Sequence, residues 1–92
     1  MFKSLKQTKK LIAFTEKQLR NADWGITKKT QTVLHCCKIN GYKLSAIFID
    51  LLAYTQRIRL CVELDDTKLL DTFSATKADI RTFKKLVREI TH

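Results

Sequence analysis

Apolar residues recur at helical spacing near both ends of the chain. Ile12 and Leu19 are seven residues apart, with further apolar residues beside them, and this spacing predicts an amphipathic helix over residues 2–21. Near the other end, Thr76 and Asp79 have the spacing of a capping box, which predicts that the last helix begins after Thr76. Each of these helices is expected to turn one apolar side towards a core.

The middle of the chain is apolar over a longer stretch. Residues 44–54 are apolar on nearly every side, which favours a central helix surrounded by others. Residues 58–64 alternate between apolar and polar, as a strand does, but no second strand is visible to satisfy its backbone, so we interpret this segment as a helix end leading into a loop. Two shorter helices are predicted, one between Thr27 and Gly41 and one from Asp65 or Asp66 through Phe73.

The composition supports the same fold class. The chain has no proline and only two glycines, so it has few of the residues that hairpin turns normally use. Its 92 residues, 45% of them hydrophobic, are enough for one modest core. We therefore expect an all-α fold, a compact bundle of four to five short helices that forms a single domain over residues 1–92.

The chain is strongly basic. Its formal net charge of +9 favours nucleic acid, an anionic membrane or an acidic protein as the partner. A solvated charged face is the plain alternative for the lysine-rich side of the first helix. The candidate nucleic-acid-binding residues are the basic residues on the polar sides of the first and last helices, namely Lys3, Lys6, Lys10, Lys17, Lys77, Arg81, Lys84, Lys85 and Arg88.

Residues 66–90 combine a predicted short helix, a turn at Ser74 and a basic helix, with Phe73 closing the first helix and Thr76 opening the second. This segment resembles the helix-turn-helix unit of DNA-binding proteins, although Leu70 and Ser74 stand where that family usually has alanine and glycine. The resemblance implies that the last helix enters or flanks a major groove and that its basic residues contact phosphates. DNA is therefore the favoured partner, while two consecutive bundle helices would give the same pattern.

A second resemblance concerns the eight residues from Ala53 to Leu60, Ala-Tyr-Thr-Gln-Arg-Ile-Arg-Leu. They are similar to a stretch in the small helical immunity proteins that protect bacteria from their own bacteriocins. This resemblance implies an alternative function, a protein-binding inhibitor or immunity-type bundle whose partner is an acidic or membrane-bound protein. An oligomer formed through an exposed apolar stripe is a further alternative.

Residues that could carry chemistry are few. His35, Cys36 and Cys37 are adjacent, and on a helix their side chains would point about 100° apart, so we predict no metal site and no cofactor. Asp50 has no second carboxylate beside it, and we expect it to pair with a basic residue such as Arg57 or to face solvent. The chain is therefore expected to be a binding domain and not an enzyme.

The cysteines and the apolar segments bear on location. Three cysteines leave an odd thiol, which favours a reducing compartment, and no secretory signal is readable, so we expect a cytoplasmic protein. An amphipathic organelle presequence at the basic N-terminus is an open alternative. We expect no transmembrane segment, because Asp50 and Arg57 interrupt the apolar stretch too early for a bilayer span.

Overall fold

The protein is a mixed α/β fold built around a five-stranded antiparallel sheet, so the prediction of an all-α bundle is wrong. The computed structural model describes residues 3–92. The strands pair in chain order, each antiparallel to the next. In chain order the elements are α1 (Lys3–Leu19), β1 (Gly25–Lys29), β2 (Val33–Asn40), β3 (Lys43–Leu52), β4 (Arg57–Leu64), β5 (Thr67–Thr72) and α2 (Lys77–Ile90).

The predicted central helix is in fact strand β3, and it supplies the partner that the alternating segment lacked. Residues 58–64 lie in β4, which pairs with β3 on one side and with β5 on the other. Strand β3 has apolar residues at successive positions because one of its faces is buried under the helices and the other is half-buried among neighbouring side chains, and a continuous apolar run occurs in such a strand as well as in a buried helix.

The hairpin turns use few glycines, which explains why the composition pointed away from a sheet. Gly41, between β2 and β3, has a φ of 66°. Two of the other three hairpin turns use non-glycine residues in the left-handed region, Gln56 before β4 and both Asp65 and Asp66 before β5, and the turn between β1 and β2 also contains no glycine. The pair Asn40-Gly41 therefore marks a hairpin and not the end of a helix, so the predicted second helix is also wrong.

Both terminal helices are confirmed, and they lie against the same face of the sheet. Helix α2 has the predicted capping box, in which Thr76 and Asp79 bond to each other's backbone N–H groups. Residue 2, where the first helix was predicted to begin, lies outside the described residues. The core between helices and sheet contains Leu11, Ile12, Leu19, Leu34, Cys36, Ile47, Ile49, Ile58, Leu60, Val62, Phe83 and Val87.

Neither family resemblance agrees with the structure. The segment that resembles a helix-turn-helix unit begins with strand β5, so it is a strand, a turn and a helix. The segment that resembles helical immunity proteins forms the turn after β3 and the start of β4. The fold therefore contradicts an immunity-type helical bundle and a helix-turn-helix unit at residues 66–90.

Candidate nucleic-acid interface

The nine predicted basic residues all lie on α1 and α2, and these two helices cover one face of the sheet. Eight of these residues are exposed, four on each helix, and the ninth, Lys84 on α2, is half-buried. Binding through both helices requires their basic sides to share one accessible side of the molecule. The fold satisfies this requirement, although the intervening segments are strands and not the predicted helices.

The two helices approach each other at Phe14, which is half-buried. The Lys84 Nζ atom lies 5.8 Å from the centroid of the Phe14 ring, and the Arg88 Cζ atom lies 5.2 Å from it. Both distances are within the range of cation–π attraction. Further along the pair, His92 Nε2 lies 3.0 Å from Gln18 Oε1. These contacts place the Phe14 side of α1 against the side of α2 that carries Lys84 and Arg88.

Helix geometry adds two more cations to this junction. Lys10 and Lys17 are four residues before and three residues after Phe14, so they lie on the same side of α1. Lys84 and Arg88 are likewise four residues apart on α2. We call this group the helix seam, and it consists of Lys10, Phe14, Lys17, Lys84 and Arg88.

Of the three acidic residues of the two helices, Glu16 and Asp79 are already engaged, and the exposed Glu89 lies about 100° around α2 from Arg88. Glu16 accepts a hydrogen bond at 2.8 Å from Lys29, on the side of α1 that faces β1. Asp79 caps the start of α2 through the backbone N–H of Thr76. The positive charge of the helix seam is therefore largely uncompensated, and such a surface attracts polyanions with a strength that falls as salt rises.

The opposite, open face of the sheet carries an ion-pair network that the sequence analysis missed. His35 Nε2 lies 2.7 Å from Asp50 Oδ1, and Arg59 Nη1 donates to Asp50 Oδ2 at 3.0 Å. The prediction that Arg57 pairs with Asp50 is wrong, because the register places Arg59 opposite Asp50 and Arg57 opposite Leu52. The alternation of β4, which sets Arg59 among its polar positions, is the signal that could have identified this pair.

Two phenylalanines complete the open-face network. The Arg59 Cζ atom lies 5.5 Å from the Phe48 ring centroid and 5.3 Å from that of Phe73. The His35 ring meets Phe48 edge-on, with 4.7 Å between centroids. One carboxylate thus faces two basic side chains that also pack on aromatic rings, so Asp50 and Arg59 balance each other's charge within the network.

The cysteines are divided between the two faces, because neighbours on a strand point in opposite directions. Cys36 lies in the core, where burial, with smaller contributions from Cys37 and Glu16, raises the pKa of its thiol to about 12. Burial is also the main cause that raises the pKa of the Cys61 thiol. Both thiols are therefore protonated and weakly nucleophilic at neutral pH. Within residues 3–92, no three His, Cys, Asp or Glu side chains are grouped so that they could hold a metal ion.

An open groove of about 490 Å³ lies beside α1, on the side away from the helix seam, and its lining includes Ile12, Ala13 and Lys29. Its Lys29 is already paired with Glu16. Among the described residues, no helix is long and apolar enough to cross a membrane.

Comparisons with protein-family models, curated proteins and solved structures found no match to this chain. Function is therefore inferred from the geometry and charge of the chain itself.

Proposed function

We propose that the protein binds nucleic acid through the helix seam, mainly by contacts to phosphates. The observation that supports this most directly is the meeting of two basic helix sides at Phe14, while Glu16 and Asp79 are engaged elsewhere. Phosphate contacts supply most of the affinity of non-specific nucleic-acid binding. The preference for DNA rested on the helix-turn-helix resemblance, so the proposal now covers DNA and RNA alike.

The experiment is a titration of a fluorescent oligonucleotide with the protein at several salt concentrations. The seam variant combines Lys10→Gln, Lys17→Gln and Arg88→Gln, which remove three charges and keep good helix formers. We expect its affinity to fall at least about tenfold, and the slope of log affinity against log salt to become shallower by about two.

The matched control removes the same charge from exposed positions of the sheet. It combines Lys28→Gln, Lys43→Gln and Arg57→Gln, none of which lies on a helix. We expect the control to keep most of the affinity and of the salt slope. An equal loss in both variants would show that only the net charge matters, and wild-type affinity in the seam variant would refute the proposed surface.

Protein binding is the second candidate, and a different surface supports it. At the tip of the β2–β3 hairpin, Ile39 is 72% exposed, Tyr42 is fully exposed and Leu44 is 39% exposed. Ile39 and Leu44 are direct cross-strand partners, so these side chains form one apolar patch. If the patch joins two copies of the chain, sedimentation should show a dimer that Ile39→Thr dissociates. A wild-type chain that stays monomeric at high concentration would rule out this self-association.

A further inference from the structure

The helix pair is too broad to enter a DNA groove. Two helices lying side by side, each about 10 Å across, form a surface about 20 Å wide, whereas the major groove is about 12 Å wide. Both helices also bury one side against the sheet, α1 through Leu11 and α2 through Phe83 and Val87. A duplex can therefore offer the helix seam its phosphates, but its base edges stay out of reach.

A single strand can offer more, because its bases are not already stacked in pairs. The Arg88 guanidinium lies over the Phe14 ring at 5.2 Å, and Arg88 is exposed. A guanidinium is flat, and unpaired bases stack on arginine planes as well as on aromatic rings. The ring lies within cation–π distance of the guanidinium, and the exposure of Arg88 leaves part of that planar group available to a base.

The neighbouring cations suit the phosphates on either side of such a base. Lys10 and Lys17 flank Phe14 along α1, about one helical turn away in each direction. An ammonium group is a compact point charge that binds phosphate but offers no flat surface for stacking. Lysines beside one supported arginine thus match the pattern of single-strand sites, in which a basic groove follows the backbone and planar groups hold the bases.

We propose that the preferred ligand is single-stranded nucleic acid, with one unpaired base stacked on the Arg88 guanidinium that Phe14 holds in place. This inference rests on the proposed function, because it assigns the ligand class of the same helix seam. Arg88 contacts the base, and Phe14 is a positioning residue that acts through Arg88.

The test compares a single-stranded oligonucleotide with its own duplex, at equal salt, for the wild type and for Arg88→Lys. The substitution keeps the positive charge and removes the planar guanidinium group on which a base could stack. We expect the wild type to prefer the single strand, and Arg88→Lys to lose about five- to tenfold in single-strand affinity, as for one stacked base, with duplex affinity unchanged. Arg57→Lys, an exposed position on β4 outside the two helices, is the matched control and should change neither affinity.

A spectroscopic readout separates stacking from a loss of structure. The ring current of a stacked base should shift the Arg88 Nε–H NMR signal when a DNA or an RNA single strand is added, and the shift should be absent with duplex. Phe14→Leu should weaken single-strand binding, and Phe14→Tyr, which keeps a ring under the guanidinium, should restore it.

The outcomes distinguish this inference from the function on which it rests. Equal affinity for single strand and duplex, or no shift of the Arg88 signal, would overturn the single-strand proposal while salt-dependent binding through the helix seam still stood. Failure to bind any nucleic acid at low salt would overturn both.

Discussion

The two faces of the sheet are held by different interactions, although strand β3 is apolar on both. On the helix side, Ile47 and Ile49 are fully buried beneath α1 and α2. On the open side, Phe48 is covered only in part, by the His35 ring and the Arg59 guanidinium, and Asp50 holds both of these basic groups. One face is thus an ordinary apolar core, and the other is a polar and aromatic layer that needs no third element to cover it.

The same comparison separates the charges of the protein. The open face balances Arg59 against Asp50, and Lys68 against Asp71 on β5. The helix layer carries ten Lys and Arg residues against three Asp and Glu residues. The helices therefore bury apolar residues against the sheet and carry most of the positive charge on their exposed sides. Because different residues do these two things, stability and binding can be changed by separate substitutions.

The largest expected effect is on the helix side of the sheet. Ile49→Ala should lower the free energy of unfolding by about 2–5 kcal/mol, because it leaves a cavity in the packed core. Phe48→Ala on the open face should cost less, although it removes more atoms, since its ring already contacts water. Urea unfolding of both variants measures the difference, and an equal or larger cost for Phe48→Ala would mean that the open face is a second core.

A smaller effect is expected from the ion-pair network. Asp50→Ala removes the shared acceptor of His35 and Arg59, whose side chains are mostly buried, and should cost about 1–3 kcal/mol. A double-mutant cycle with Arg59→Met isolates the pair, and we expect a coupling energy of at least about 0.5 kcal/mol. Strictly additive losses would show that Asp50 and Arg59 do not stabilise the open face together.

The smallest effect appears only in alkaline solution and concerns the core side alone. The pKa of Cys36 is raised to about 12 in the folded protein, so above its ordinary value of 9.0 the unfolded chain loses the thiol proton first. Stability from this thiol is complete below pH 9 and is lost as pH rises towards 12, by at most about 1.4 kcal/mol per pH unit. Unfolding of wild type and Cys36→Ala at pH 8 and pH 10 measures this loss, and parallel losses in the two proteins would contradict the assignment.

The helices could be predicted from the sequence because each has an apolar side and a polar side, and because α2 also has a capping box. The sheet could not, because β3 is apolar on both faces and its period therefore resembles that of a buried helix. Three of the four hairpin turns contain no glycine, and in two of them Gln56, Asp65 and Asp66 adopt the positive φ angles that glycine would usually supply. Without β3 as a visible partner, the correct alternating pattern of β4 could not be recognised as a strand.

The candidate site was predictable in its residues but not in its arrangement. The basic sides of α1 and α2 follow from helical spacing alone. The contact between the two helices at Phe14 depends on how the five intervening strands place them. No local sequence pattern predicts that Lys84 and Arg88 lie close to the Phe14 ring. The open-face network is hidden for the same reason, since His35, Asp50 and Arg59 come together only through the register of β2, β3 and β4.

The central claim is that the helix layer, and not the open face, binds nucleic acid. An amide NMR spectrum recorded during titration with a short single-stranded oligonucleotide tests it most directly. We predict that the signals that move belong to α1 and α2 around Phe14 and Arg88, while those of His35, Phe48 and Arg59 stay in place. Shifts concentrated on the open-face residues, with α1 and α2 unchanged, would contradict the account.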